Sequence, residues 1–281
     1  LITDIVFTDA DYEPTGILPK GWQSSSFSGV FDGRGHTITY SAATVTLPTG
    51  TSKDECFFPY GLTKEALIAN LNSCDEFTGV MDMTNYPLYN ISGGFCGKLA
   101  YSGTIKNVKI VYGGAVTYNS TNEVLFGLVA GIAKGRIENV SVDLQNNVYV
   151  QMTNSAKPSA VGGMAGILFK GVVKNCAVNI GGQFKVSKNV SDNVFGQTAL
   201  GGFFGRMQGG IVGNVKFSGS GDMIMLANAA DTYSQYYIGG IVGMTNTPKG
   251  VFCGNQAEKQ LYWGYDNGAT GLDVNNVILS Y

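Results

Sequence analysis

Charge is scarce in this chain: Asp, Glu, Lys and Arg make up 14% of its 281 residues, and the formal net charge is −2. With no strong field of either sign, it is not a protein that gathers nucleic acid or an anionic membrane by electrostatics. Arginine occurs only as Arg34, Arg136 and Arg206, and histidine only as His36. The five cysteines form no Cys-x-x-Cys pair, and one histidine among scattered cysteines gives zinc no ligand set. The longest apolar run, "VLFGLVAGIA" from Val124 to Ala133, is half of the roughly 20 residues a membrane helix needs, so no membrane span is expected. No signal peptide is visible and the first residue is not methionine, which reads as a mature or excised segment.

What the chain has is glycine, aliphatic residues and aromatics. Its 40 glycines follow no Gly-X-Y period, which excludes collagen. With 44% apolar residues, 15 Tyr and 15 Phe, it can bury a large core. Glycine-rich, β-branched and aromatic sequence with little charge reads as all-β with many tight turns.

The chain also repeats itself. "SGGFCGKLAYSGTIKNVKI" at 92–110 returns as "LFGLVAGIAKGRIENVSV" at 125–142, "VGGMAGILFKGVVKNCAV" at 161–178 and "LGGFFGRMQGGIVGNVKF" at 200–217. A looser copy, "IGGIVGMTNTPKGVFCGN", spans 238–255. Each unit reads as an apolar strand ending in glycine, a turn, a Gly-x-(Ile/Val)-x-Asn strand, and a third short strand. About three short strands per coil, repeated, make a parallel β-helix, or β-solenoid, right-handed by the usual crossover rule. One domain over 1–281 is expected, with five repeats at 92–256 and a terminal coil at 257–281. An insertion at 44–90 separates the first coil from the repeats and carries a short helix at Leu62 to Asn72. Cys56 and Cys74 bracket that helix and are placed to close it with a disulfide.

Stacked coils align like residues in columns about one strand spacing apart. Val108, Val140, Cys176 and Val215 form one apolar column, in which Cys176 is filler. Cys96 falls in another with Ala130, Ala165, Phe204 and Val242. Asn107, Asn139, Asn175, Asn214 and Asn255 form an asparagine column, suited to hydrogen-bonding the local backbone and the amide stacked above. His36 is expected at the corner held elsewhere by Gly103, Gly135, Gly171 and Gly210, in the left-handed backbone conformation, with Thr37-Ile38 aligned on Thr104-Ile105. Sequons at Asn90, Asn119 and Asn189 lie in variable outer segments and mark candidate N-linked glycan sites. The sequon at Asn139 belongs to the column and reads as incidental.

"DIVF" (Asp4 to Phe7), then "FSGVFDGRGHTI" (Phe27 to Ile38), then the GG-x-x-G and G-x-(I/V)-x-N units together resemble the GLUG-motif repeat family. That resemblance implies a secreted or cell-surface β-solenoid; it carries over no catalytic residues.

Chemistry finds little foothold. Glycoside hydrolysis needs converging carboxylates, and adjacent acids occur only as Asp54-Glu55 and Asp75-Glu76, inside the insertion. The three arginines do not cluster as a lyase would need, and no Gly-x-Ser-x-Gly accompanies His36. Acidic stretches at Asp9, Asp11 and Glu13 and at Asp266, Asn267 and Asp273 match no calcium-loop pattern. No enzyme, cofactor or metal is therefore expected. The expectation is an extracellular structural protein: a glycosylated subunit of a surface filament, appendage or coat that self-associates head to tail. The alternatives are an adhesin or carbohydrate-binding module using aromatics such as Tyr233, Tyr236, Tyr237, Tyr262 and Trp263, and a polysaccharide-degrading β-helix.

Overall fold

The computed structural model describes residues 1–8, 26–45, 50–52, 89–121, 124–153, 159–188, 197–228, 235–245, 250–253, 256–257, 261–266 and 272–276. The expected helix at 62–72 and the Cys56–Cys74 disulfide lie outside them. Within them the chain is all-β, and parallel strands stack in register as a β-solenoid. Four consecutive turns, at 89–120, 124–152, 159–188 and 197–228, each contribute to all four sheets.

The turn at 124–152 shows the path. Val124–Gly127 lies in an entry sheet, Ala130–Ala133 in a return sheet, Arg136–Leu144 in a long sheet, and Val148–Met152 in a closing sheet. The repeat pattern predicts three strands per coil; the structure corrects that to four. The apolar run that reads as one strand is two, bent at Leu128-Val129, both fully buried. Hydrogen bonds between turns hold the bend: Val129 N–H donates to the Met164 carbonyl, and the Val129 carbonyl accepts from Phe95 and Cys96 N–H.

Entry and return strands pack closely because glycine columns line the arch between them. Gly127, Gly162 and Gly201 end the entry strands, while Gly131, Gly166 and Gly205 sit second in the return strands. A Cβ on Gly166 would lie 2.7 Å from both the Gly131 carbonyl oxygen and the Phe126 nitrogen. These strands are buried on both faces, which is why their sequence is apolar without alternation. One face joins the main core inside the coil. On the other, Ile91, Leu125, Ile132, Ala160, Ile167 and Phe169 form a second apolar cluster.

The inner columns are regular. Val108, Val140, Cys176 and Val215 are all at most 3% exposed. Ala130 is paired with Cys96 on one side and Ala165 on the other, continued by Phe204 and Val242. Within the core, Tyr40 and Tyr112 stack with ring centres 4.9 Å apart. Their buried hydroxyls donate to the Gly94 and Leu128 carbonyls at 2.7 and 2.6 Å, as buried tyrosine requires.

The parallel stack is interrupted at two edges. Gly50–Ser52 pairs antiparallel with Tyr89–Gly93, and Leu272–Asn276 pairs antiparallel with Leu261–Asp266. Among the described residues, no helix is long and apolar enough to cross a membrane.

Candidate functional site

The long sheet carries the feature with the most regular polar geometry. Along Arg136–Leu144 the buried residues are Ile137, Val140, Val142 and Leu144, so alternation slips by one residue at Asn139. Asn139 has φ 53, and Asn107, Asn175 and Asn214 have φ 55, 54 and 52. A left-handed residue at this point lets Ile137 and Val140 both face the core although two residues separate them. Asparagine is among the few non-glycine residues that take that conformation readily.

The side chains then bond between neighbouring turns in two pairs, two rungs of a ladder. Asn214 Nδ2 donates to Asn175 Oδ1 at 2.9 Å, and Asn139 Nδ2 donates to Asn107 Oδ1 at 3.0 Å. Asn107 Nδ2 in turn donates to Asp32 Oδ1 at 3.1 Å. Asp32 is a carboxylate and only accepts, so it terminates the ladder. It also accepts from Arg34 N–H at 2.9 Å and faces the Lys106 ammonium at 3.5 Å. The Arg34 N–H first, then the Asn107 amide, hold its carboxyl below the usual range. Beside the ladder, Asp32, Lys106, Glu138 and Lys174 alternate in charge along paired strands, a pattern that favours this register.

A shallow groove of about 400 Å³ follows the ladder, lined by Arg34, Gly35, Asn107, Val108, Lys109, Asn139 and Ser141. On its flank Lys109 pairs with Asp143 at 3.3 Å, and Asn179 Nδ2 donates to Asp143 at 2.9 Å. Partial burial pushes the Asp143 carboxyl up, but the bonds from Asn179 and Lys109 outweigh it and the net shift is down. Among the described residues no three His, Cys, Asp or Glu side chains gather as metal ligands. The groove thus presents amides already bonded to one another.

His36 does not sit where the repeats place it. Val30 pairs with Thr104 and Thr37 with Lys109, so Thr37-Ile38 aligns on Lys109-Ile110. The residue at the glycine corner is Gly29. Four residues, Gly33 to His36, occupy the space that Asn107 and Val108 fill one turn later, and that longer turn shifts the histidine. Positive φ falls on Arg34 and Gly35, at 52 and 83. His36 Nδ1 instead lies 3.1 Å from Asp4 Oδ1, which also accepts from Thr37 N–H at 2.8 Å. The sequence signal for this pairing is that Asp4 precedes His36 by one coil.

The remaining site residues are dispersed. Asn119 is exposed on Ala115–Ser120. Asn90 pairs in the backbone register with Val124. Asn189 and Asn255 lie outside the described residues. The Asn139 carboxamide is bonded in the ladder. Cys96 and Cys176 are free and buried, and burial pushes both thiols up to about 12. Of the aromatics, Tyr236 and Tyr237 are half-buried. Tyr262 and Trp263 belong to Leu261–Asp266, and Tyr233 lies outside. No family model, no curated protein and no solved structure matches this chain.

Proposed function

We propose that this is a non-enzymatic structural repeat protein of the cell surface: a glycosylated subunit of a filament, appendage or coat that associates end to end, head to tail. The GLUG-motif resemblance supports the extracellular setting. The recurrent glycines, asparagines and aliphatic columns close the arch, bend the long strand or fill the core. A pattern spent on architecture supports a scaffold reading.

One observation carries the self-association. Among the described residues, the partly buried apolar side chains packed against the main core are Leu1, Phe7, Phe27 and Phe31 at one end of the stack and Tyr236, Ile238, Ile241 and Val242 at the other. In the middle, their column-mates are almost fully buried. The antiparallel strands cover the entry sheet at the first end and the closing sheet at the second. Among the described residues, the long and return sheets are the two with no such strand at either end, and in this reading a following copy mates through them.

Val6→Lys tests this, because Val6 is exposed at 56% on the outermost strand of the long sheet. Sedimentation velocity of the wild-type chain should show species that lengthen with concentration. Val6→Lys should hold the chain at the smallest species with an unchanged melting temperature. Identical sedimentation of the two proteins would count against association through this edge.

A further inference from the structure

The groove along the asparagine column keeps hydrogen-bonding capacity that the fold does not use. It has a volume of about 400 Å³, with the nearly buried Val108 in its lining. Arg34 and Gly35 border it in the first coil, Lys109 in the next, and Asn139 and Ser141 in the one after. Rows two coils apart lie about 10 Å from each other.

Three polar groups face this groove without a partner among the described residues. The Arg34 guanidinium has none, although the Arg34 backbone N–H is bonded to Asp32. The Ser141 hydroxyl has none either. Asn139 donates from Nδ2 to Asn107, which leaves its carboxamide oxygen unbonded. Arg34 and Asn139 are exposed and Ser141 is half-buried, so a ligand can reach all three. The turn that presents Arg34 is held by backbone. Gly33 N–H donates to the Lys106 carbonyl, Gly35 N–H to that of Asn107 and His36 N–H to that of Gly33, at 2.8, 2.8 and 2.9 Å. Arg34 sits there at φ 52, a conformation that arginine enters against its backbone preference. A Cβ on Gly35 would meet nothing within 4 Å, so that wall of the groove is open.

We infer that this groove binds a small hydroxylated carboxylate. The planar Arg34 fork takes the carboxylate through two parallel N–H···O bonds. A ligand hydroxyl donates to the Asn139 oxygen, and the Ser141 hydroxyl bonds beside it. The acceptor at Asn139 favours a hydroxyl at that end over a second oxyanion. Lys109 is already paired with Asp143, so among the described residues Arg34 is the unpaired cation of the lining, and one carboxylate balances it. A ring uronate and an open-chain sugar acid share this chemistry. Binding here is independent of end-to-end association, since the groove lies on the lateral face of the long sheet.

A heteronuclear NMR titration tests this, with glucuronate, gluconate, neutral glucose and inorganic phosphate as probes. Glucuronate or gluconate should shift the Gly35 and Ser141 amide resonances saturably, and more weakly as salt rises. Tighter binding of glucuronate would support a ring uronate as the ligand, and tighter binding of gluconate an open-chain acid. Arg34→Gly keeps the N–H that Asp32 accepts and relieves the backbone. It should weaken binding about tenfold or more, with the melting temperature maintained or raised. Ser141→Ala removes a hydroxyl the fold does not use and should weaken binding about threefold at an unchanged melting temperature. Four results would overturn the inference: no saturable shift at millimolar concentration, equal binding of glucose, equal binding of phosphate, or full binding by either variant.

Discussion

Asn139 combines two requirements that few side chains meet together: it tolerates φ 53, and it passes a hydrogen bond to the same residue one turn away. Alanine should lose both, about 1 kcal/mol for the left-handed backbone and about 1 for the ladder bond. Glycine keeps the backbone and loses only the bond. Denaturant unfolding should therefore rank Asn139→Ala as the more destabilised, by about 2 kcal/mol in total, and Asn139→Gly at about half that. Equal losses would mean that the conformation is not what selects asparagine. The regular spacing of these asparagines is legible in the sequence. Their left-handed backbone is not, because periodicity records where a residue recurs and carries nothing of its φ. His36 shows the same limit, since the longer turn from Gly33 to His36 shifts the alignment that spacing alone suggests. At this scale there is also an acid dependence. Asp4 is held below its ordinary 3.8 first by the Thr37 N–H and then by His36, and Asp32 first by the Arg34 N–H. Groups whose folded pKa is depressed stabilise above the unfolded value and lose that contribution as pH falls through the folded one. The Thr37 amide resonance should thus titrate with an apparent pKa below 3.8. A midpoint at or above that value would remove the Asp4 contact from the account.

At the scale of elements, the arch explains why the repeat is written GG-x-x-G. Gly166 has backbone on every side: the Gly131 oxygen, the Phe126 nitrogen and the Ala160 oxygen, at 2.7, 2.7 and 3.0 Å from a built Cβ. Backbone has little room to yield, so Gly166→Ala should cost more than about 3 kcal/mol or prevent folding. Gly213 is the control. Its nearest neighbour to a built Cβ is Lys174 Cγ at 3.8 Å, and Gly213→Ala should be neutral or stabilise by about 0.4–1 kcal/mol. Similar melting temperatures for the two variants would contradict the arch. The glycines and their spacing are plain in the sequence, yet the run "VLFGLVAGIA" reads as one strand. A strand buried on both faces has no alternation to mark where it ends, and the bend at Leu128-Val129 is set by hydrogen bonds to neighbouring turns.

For the whole molecule, stability is shared between neighbours, as in any stack whose units cannot bury their own faces. The central coils bury Phe126, Val161 and Leu200 completely, while Ile238 in the same entry-sheet position-set one turn further is only partly covered. The parallel architecture could be read from five aligned repeats, because stacking copies the pattern directly into space. The proposed end-to-end association could not, since a repeat pattern carries nothing of what lies beyond its outermost coils. The most direct test of the scaffold reading is electron microscopy of the purified chain across a concentration series. The account predicts rods of one solenoid's width whose length grows with concentration. Dispersed particles of single-chain size at every concentration would contradict it.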